Sequence, residues 1–247
     1  MVLSAEEVSR GIHLVSNQEG GVQFSHSAFN KTEYEVIPIT NNEVSQWVMK
    51  KHYAHRMPSI NYSFGLFSKK KKVIVGVCTF GLGANYRESE AWKPFALLEL
   101  VRLCINEDIP RNGLSFLVSS SLKMLPTPRV IVSYADIEFN HCGYIYQATN
   151  WIYTGIGALS SKKFLIDGEK ELHNRASTYI KVGNGITSVR SGSGKHRYYY
   201  FIGTHKEKKQ MMQILKKRWY ILEYPKGKPN HYNSSCKMSL QQRLVVE

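Results

Sequence analysis

The sequence lacks the features that mark exported, membrane-embedded and zinc-binding proteins. None of its apolar runs approaches the roughly 18 residues of a membrane span, and its N-terminus has no apolar segment typical of a signal peptide. Its four cysteines have no CxxC spacing, which indicates neither a zinc ribbon nor a disulfide framework. Two of them, Cys78 and Cys104, lie inside apolar runs and are predicted to be small core residues. We therefore expect a soluble protein of a reducing cytoplasm.

Acidic residues are also scarce, at 19 Asp and Glu against 33 Lys and Arg, which gives a net charge of +14. From residue 151 onward the chain has 18 basic and 6 acidic residues, or +12, which leaves +2 for residues 1–150. This imbalance indicates a polyanionic partner, nucleic acid first. A merely soluble basic surface is the simpler alternative. A membrane partner is disfavoured, because no basic amphipathic helix has an obvious apolar face.

The 247 residues, 43% of them hydrophobic, suffice for one sizeable domain. Periodicity predicts strands at 35–39, 62–67, 73–80, 97–105, 129–136, 151–153 and 195–202. Pro38 assigns the first strand to a sheet edge. Thr40 is predicted to cap a helix that ends at Pro58, and a second helix follows the turn at residues 110–115 and ends at Pro126. Residues 81–93 are predicted to be a polar loop, and a last helix is predicted at about 205–217.

This order of elements contains a strand, a turn, a helix and a further strand, which predicts a parallel βαβ crossover. The pattern resembles the GNAT acyltransferases, an α+β fold with a mixed sheet. In that fold a cofactor lies between two splayed strands, with its pyrophosphate on the turn before the helix. The corresponding strands here are 97–105 and 129–136. Arg102 near a strand end is a candidate for holding an anion.

The residues from Arg129 to Gly155 are the most informative stretch. An apolar strand ends at Tyr134-Ala135-Asp136, a loop contains His141 and Cys142, and one or two helical turns precede a second short strand. Asp, His, four Tyr, Gln, Thr and Asn thus occur within about twenty residues. A purely structural loop rarely needs so many hydrogen-bonding side chains. We predict a functional site here.

Basic and aromatic residues alternate near the C-terminus, in the segment Lys195 to Ile202. Cations contact phosphate and rings stack on bases, so this pattern is typical of a nucleic-acid surface. An ordinary strand explains Tyr198 to Tyr200 equally well. The helix at about 205–217 adds exposed lysines. The lysine run Lys69 to Lys72 is most simply a solvated turn.

Several motifs, in one order, resemble the Mom family of phage Mu-type DNA modification proteins, an outlying GNAT-like group. They include HYAHRMP at 52–58, LELVR at 98–102, SYAD at 133–136, HCGYIYQATN at 141–150, YTG at 153–155, KHRY at 195–198 and YPKG at 224–227. The resemblance spans roughly residues 34–228. Residues 1–31, which lie outside it, are polar and weakly patterned and are predicted to form an arm. We expect a single GNAT-like catalytic domain at 32–228, which is basic and faces nucleic acid from about residue 157, and a polar tail at 229–247.

The resemblance implies a transferase that converts adenine in double-stranded DNA to N6-carbamoylmethyladenine and so protects phage DNA from host restriction. It also implies the cytoplasm of a bacterial host as the location. The positions that match the family's site are Tyr53, Arg102, Ser115, Asp136 and Tyr146. Residues expected to contact DNA are His52, Arg56, Lys195, His196, Arg197, Tyr198 and Lys226.

The roles expected for these residues follow from the chemistry. Adenine N6 is a poor nucleophile, so Asp136 is expected to act as base or to orient the amine. Tyr146 and Tyr53 are expected to relay protons, stabilise an oxyanion or stack on the base, and Arg102 and Ser115 to anchor the donor. Because N6 is engaged in base pairing, the adenine is expected to be flipped out of the duplex.

Two cofactors are suggested only by analogy with the GNAT fold and with the Mom family. The GNAT fold suggests an acyl-CoA such as acetyl-CoA as donor, held by Arg102 and by Arg111, Asn112, Gly113 and Ser115. However, the usual pyrophosphate motif, Arg/Gln-x-x-Gly-x-Gly/Ala, is present only in degenerate form. The family also suggests iron, with His141, Asp136 and Tyr146 as candidate ligands. A lone loop histidine is more often a hydrogen-bonding residue.

Two other functions remain open at this point. A GNAT acyltransferase that acts on RNA or on a protein amine would bind CoA tightly and leave DNA unchanged. A non-catalytic nucleic-acid-binding protein would keep its effect after Asp136→Asn and Tyr146→Phe. The polar cluster of the central stretch argues against the second, because binding phosphate requires cations rather than Asp and Tyr.

Overall fold

The computed structural model describes residues 14–16, 22–24, 28–52, 56–83, 86–157, 163–166, 170–173, 186–190 and 194–227. These residues fall into two compact units. The first contains the described chain up to Ile131 and residues 201–211. The second contains the described residues of 132–200 and 212–227.

The secondary structure follows the predicted order closely. The strands are β1 Leu14–Ser16, β2 Val22–Phe24, β3 Tyr34–Pro38, β4 Tyr62–Ser68, β5 Val73–Gly81, β6 Ala96–Ile105, β7 Arg129–Asp136, β8 Ile152–Ile156, β9 Lys163–Ile166, β10 Lys170–His173, β11 Ile186–Arg190 and β12 Lys195–Ile202. The helices are α1 Asn41–Lys50, α2 Tyr86–Ala91, α3 Gly113–Met124, α4 Tyr144–Ala148 and α5 His205–Arg218. Short 3₁₀ turns occur at Lys31–Glu33 and Ile137–Phe139.

The main sheet has seven strands in the order β3-β4-β5-β6-β7-β12-β8. Strands β3 to β6 pair antiparallel in sequence order, and β12 pairs antiparallel with β8. The neighbours β6 and β7 are joined through α3, which is the connection of a βαβ crossover. This mixed sheet confirms the predicted α+β, GNAT-like fold, and β3 at the sheet edge agrees with the presence of Pro38. Smaller ladders join β1 with β2, and β9 with β10 and β11.

The core of the first unit forms where α1 packs against the antiparallel strands. Thr40 caps α1 in a capping box, since its hydroxyl accepts from the Glu43 N–H and the Glu43 carboxylate accepts from the Thr40 N–H. The buried face of the helix places Trp47 in a cluster with Val77 and Cys104. Cys78 is fully buried as well. Both cysteines predicted to be core residues are thus confirmed as such.

The second unit has an aromatic core. The Tyr146 ring lies 5.0 Å from the Trp151 ring and 5.1 Å from the Tyr198 ring, measured between centroids. The Tyr153 ring lies 5.0 Å from Tyr198 on another side. Trp151 and Tyr198 are fully buried. Four large rings therefore fix the relative positions of α4, β8 and β12.

Two local predictions were wrong. The predicted polar loop at 81–93 contains α2, a six-residue helix whose sequence YRESEA is too short and too polar to show an apolar period. The helix predicted to run to Pro58 ends at Lys50, because its buried apolar face ends at Val48. Lys51 is the C-cap residue, and its backbone N–H donates to the Trp47 carbonyl. Among the described residues, no helix has the length and apolar content needed to cross a bilayer.

Candidate active site in the second unit

Asp136 ends β7 and is almost fully buried. Its Oδ2 lies 3.0 Å from the Lys195 Nζ. Its Oδ1 accepts a 3.1 Å hydrogen bond from the Glu138 N–H and so caps the 3₁₀ turn Ile137–Phe139. The lysine compensates the charge of the carboxylate, and the backbone bond fixes its orientation.

The loop after this turn folds back onto β7 and β12. Asn140 has φ 54°, in the left-handed region that asparagine tolerates. The His141 N–H donates to the Asp136 carbonyl at 3.2 Å, and the Ile137 N–H donates to the Gly194 carbonyl at 3.3 Å. At Gly143, φ is +73° and a Cβ would overlap the Tyr198 ring. The loop therefore requires glycine here to approach β12.

Burial lowers the pKa of His141, and the nearby Asp136 carboxylate opposes this by favouring the protonated imidazole. Burial is the larger effect. The imidazole is consequently neutral at neutral pH, when it can both donate and accept a hydrogen bond.

A second imidazole, His196, lies on β12. Its Nδ1 is 2.7 Å from the Tyr153 hydroxyl oxygen on the paired strand β8. Burial lowers the pKa of His196 and raises the pKa of Tyr153. Both shifts keep the pair in its neutral, hydrogen-bonded form.

Tyr146 lies on α4 and is buried. Its hydroxyl accepts a 2.7 Å hydrogen bond from the Ser133 Oγ on β7. The adjacent Tyr198 hydroxyl donates to the Cys142 carbonyl. Burial raises the pKa of Tyr198. The hydroxyls of Tyr146 and Tyr198 are thus held in place by partners on other elements of the unit.

An open cavity of about 360 Å³ lies in this unit. Its lining includes His141, His196, Asn140 and the exposed Lys226. Ile137, Cys142 and Gly227 complete the lining. Asp136 is not a lining residue itself, but its backbone carbonyl accepts the hydrogen bond from the His141 N–H, and the next residue, Ile137, lines the cavity. The lining thus contains two neutral imidazoles and a cation, around a space large enough for a small ligand.

The family to which the chain belongs follows from its sequence. The model of the Mom protein family matches residues 33–226. The chain belongs to the Mom protein family. The predicted resemblance is thereby confirmed, over nearly the predicted range. A relative in the family, the methylcarbamoylase mom of Escherichia phage Mu, is 27% identical over 197 residues, which cover 72% of this chain and 78% of the relative.

Solved GNAT structures are similar at a lower level. An acetyltransferase of the GNAT family from Bacillus cereus has 13% identity and a TM-score of 0.38, covering 69% of this chain and 99% of its own. The ribosomal-protein-S5-alanine acetyltransferase from Vibrio fischeri has 8% identity and a TM-score of 0.42, covering 71% and 96%. Both TM-scores are below 0.5, so the fold assignment rests on the strand order given above.

The five positions that match the Mom family site are distributed over both units. Asp136 and Tyr146 lie in the second unit, on elements that also contribute the polar cluster. Arg102 and Ser115 lie in the first unit. The Arg102 guanidinium donates to the carbonyls of Val101 at 2.7 Å and Arg56 at 2.9 Å. Tyr53 lies outside the described residues.

The turn before α3 was predicted to hold a pyrophosphate. Here the Ser115 hydroxyl donates to the Asn112 carbonyl at 3.0 Å, and the Gly113 N–H donates to the Pro110 carbonyl at 3.1 Å. A Cβ at Gly113 would overlap Ile109, with the Phe29 ring also close. Close packing within the unit therefore requires glycine at this position. Arg111 and Asn112 are exposed, and among the described residues no side chain caps the N-terminus of α3.

The residues predicted to contact DNA have different environments. Arg56 and Lys226 are exposed, and His196 lines the cavity. His52 is buried and Tyr198 fully so, which leaves the Tyr198 ring no surface on which a base could stack. Lys195 pairs with Asp136. The Arg197 guanidinium lies over the Trp219 ring at 5.0 Å and donates to the Thr154 hydroxyl at 3.0 Å.

The candidate iron ligands do not form a metal site in this geometry. Both Asp136 carboxylate oxygens have partners, an ammonium and a backbone N–H, and the Tyr146 hydroxyl is bonded to Ser133. Among the residues described, no group of three or more His, Cys, Asp or Glu is placed to hold a metal ion. The residues present do not fit iron, and the mechanism below uses none.

Sequence reasoning did not single out Ser133, Tyr153, Asn140 or Gln147. Gln147 Nε2 donates to the Cys142 carbonyl at 3.0 Å and to the Pro225 carbonyl at 3.3 Å. It thereby ties the loop to the C-terminal segment. All four lie within the central stretch, so the dense polar composition was the available signal. The contacts of Tyr153 with His196 and of Gln147 with Pro225 join residues that are distant in sequence.

Proposed function

We propose that this chain is a transferase that converts adenine in double-stranded DNA to N6-carbamoylmethyladenine. The observation that carries the proposal is the buried Asp136 carboxylate, held by Lys195 at 3.0 Å and adjoining a cavity lined by two imidazoles. Membership of the Mom family supports it, as does the relative from phage Mu whose name describes methylcarbamoyl transfer.

The proposed reaction needs a base and a positioned amine. The N6 lone pair is delocalised into the purine ring, so the amine must be oriented and must lose a proton as the new bond forms. The N6–CH₂ bond forms while the methylene carbon loses its bond to the leaving group of an activated carbamoylmethyl donor. The leaving group departs with the bonding electron pair, and the N6 proton passes to Asp136.

The surrounding side chains support this transfer. The neutral His141 imidazole, which lines the cavity, can accept or donate a hydrogen bond to the bound adenine. The Tyr146 hydroxyl, fixed by Ser133, is a donor for charge that develops on the transferred amide. Arg102 in the first unit is proposed to anchor the donor, as the family site implies.

The basic C-terminal half fits a polyanionic substrate. A DNA duplex carries one negative charge per about 1.7 Å, so cations supply much of the binding free energy. The exposed lysines of α5 and Lys226 are proposed to contact phosphates. In a bacterial host cell, modified phage DNA would then resist host restriction endonucleases.

The experiment that tests the proposal is mass spectrometry of nucleosides from the DNA of cells that express the chain. Wild-type protein should yield an adenosine species whose added mass is that of a carbamoylmethyl group. Asp136→Asn should abolish it, because the amide cannot accept the proton. Asp108→Asn is the control for loss of an aspartate–lysine pair as such, since Asp108 forms an exposed 2.7 Å pair with Lys71 in the first unit.

The other outcomes separate the competing functions. A different added mass on adenosine would support a transferase that acts on DNA adenine but adds a chemical group other than carbamoylmethyl. DNA that is unchanged, together with acylated RNA or protein, would identify an acyltransferase with another acceptor. A biological effect that survives Asp136→Asn would point to a binding protein.

A further inference from the structure

Phe139 is a large apolar side chain that the proposed chemistry does not use. It ends the 3₁₀ turn that Asp136 caps, and it is 40% exposed. Its ring centroid lies 6.0 Å from that of His141, which lines the cavity. Phe139 is thus an accessible aromatic ring next to a residue of the cavity lining.

Hydrogen bonds hold the backbone of the turn that contains Phe139. The Glu138 N–H donates to Asp136, and the Asn140 N–H donates back to the Ile137 carbonyl at 2.9 Å. The left-handed conformation of Asn140 then directs the chain to His141. Phe139 therefore lies on a hydrogen-bonded turn, immediately before Asn140 and His141, two residues that line the cavity.

The cavity offers groups that match a purine edge. Adenine presents an exocyclic amine and ring-nitrogen acceptors, which a carboxamide can contact in bidentate fashion. Asn140 supplies such a carboxamide, and the neutral imidazoles can donate and accept. The exposed Lys226 of the cavity lining supplies a cation for the phosphate of the same nucleotide.

We propose that this cavity holds an adenine extruded from duplex DNA, and that Phe139 inserts into the vacated position of the base stack. The inference rests on the proposed function and specifies its substrate-binding site. An apolar wedge compensates the unstacking of neighbouring bases, and the extruded base is read by hydrogen bonds in a pocket. The distance along the chain from Phe139 to Asn140 and His141 is short enough to couple the two events.

Fluorescence of 2-aminopurine tests this directly, because the signal rises when the base leaves the stack. The probe replaces adenine in a set of duplexes that covers every combination of flanking bases. Wild-type protein should raise the fluorescence several-fold in at least one duplex. Phe139→Ala should remove most of that rise. Tyr144→Ala is the matched control, since Tyr144 is an exposed aromatic of the same unit outside the cavity lining.

A second measurement excludes a merely structural role for Phe139. Affinity for a fully paired duplex should fall about tenfold in Phe139→Ala, the range measured when a stacking side chain is lost. Affinity for a duplex with an abasic site opposite the target adenine should fall much less, since that base is already loosely held. Asn140→Gly, which keeps the left-handed backbone, should lower the affinity for both duplexes equally.

The outcomes distinguish this inference from the proposed function. Modified adenosine without any fluorescence rise, or equal effects of Phe139→Ala and Tyr144→Ala, would overturn the extrusion site and leave the transferase standing. A fluorescence rise that depends on Phe139, with no modified nucleoside in cells, would support extrusion of the adenine and overturn the proposed transfer reaction. Loss of affinity for both duplexes in Phe139→Ala would reduce Phe139 to a structural residue.

Discussion

The buried hydrogen bond between the Ser133 and Tyr146 hydroxyls allows a chemical role of Tyr146 to be separated from a structural one. Tyr146→Phe and Ser133→Ala each remove one partner and leave the other inside the unit. Each should lower the free energy of unfolding by about 1–3 kcal/mol. If the phenol acts in the transfer, Tyr146→Phe should reduce modified adenosine in cellular DNA by about 100-fold, and Ser133→Ala much less.

Urea denaturation and nucleoside mass spectrometry provide the two readouts for this pair. Similar losses of modification in both variants would mean that Tyr146 acts through packing. The rings of Trp151 and Tyr198, which contact Tyr146, should keep the fold of either variant intact.

The two imidazoles of the cavity make stability depend on pH. Burial lowers the pKa of His141 and of His196. The unfolded chain, whose histidines titrate near about 6.5, therefore binds more protons than the folded chain below that pH. The stability that these residues contribute is complete above about pH 6.5 and is lost as the pH falls through the folded pKa values.

We therefore expect the free energy of unfolding to fall less steeply between about pH 7.5 and 5.5 in His141→Gln than in the wild type. His196→Gln should behave in the same way. The control is His205→Gln, because His205 is exposed on α5. Urea denaturation at several pH values measures the slopes, and a slope unchanged in His141→Gln would contradict the assignment.

At the scale of single residues, the sequence indicated which residue types gather between Arg129 and Gly155, but it could not identify the residues with which they form hydrogen bonds and ion pairs. Lys195 pairs with Asp136 from 59 positions away, and Tyr153 meets His196 across a strand pair. Lys195 was predicted to contact DNA from the alternation of basic and aromatic residues in its segment and from the resemblance to the Mom family. Such pairings depend on strand register, which local periodicity does not determine.

Among the elements, the loop between β7 and α4 depends on one glycine. Gly143 has φ +73°, and a Cβ there would overlap the Tyr198 ring. Gly143→Ala should therefore lower the free energy of unfolding by about 2–3 kcal/mol, through backbone strain and overpacking. Displacement of His141 and Tyr198 should also lower DNA modification.

Gly157→Ala is the matched control for this change. Gly157 lies in the same unit, and among the described residues a Cβ there would meet only the Lys195 carbonyl, at an ordinary 3.7 Å. The expected change is within about 0.5 kcal/mol. Equal destabilisation of the two variants in urea denaturation would refute the proposed role of Gly143.

Elements with strong apolar patterns were predicted well, and weakly patterned ones were not. Strand β5 is buried along almost its whole length and reads as a continuous apolar run. By contrast, α2 is a six-residue polar helix, and the ladder β9-β10-β11 consists of strands of four or five residues with charged ends. Such elements owe their form to tertiary contacts rather than to propensity.

At the scale of the whole molecule, the charge asymmetry is the feature that sequence alone established most firmly. Residues from 151 onward hold +12 of the net +14. Several of these cations lie exposed on α5, among them Lys216 and Lys217. Others have internal partners, as Lys195 has in Asp136. Net charge therefore overstates the number of side chains available for phosphate.

Salt dependence of DNA binding separates these groups of cations. The double variant Lys216→Gln, Lys217→Gln should reduce the slope of log affinity against log salt concentration by about 2, since each phosphate contact contributes about 0.9. The matched control neutralises Lys69 and Lys70, which are exposed on the β4–β5 turn and were predicted to be solvated. That variant should keep the wild-type slope.

Fluorescence anisotropy with a random-sequence duplex over a series of NaCl concentrations gives the slopes. A random sequence isolates the phosphate contacts, because base-specific contacts average out. If the Lys69 and Lys70 variant lost as much slope as the α5 variant, binding would depend on net charge alone. A slope that changes only in the α5 variant would locate the phosphate contacts in the basic half, since the two variants remove the same charge.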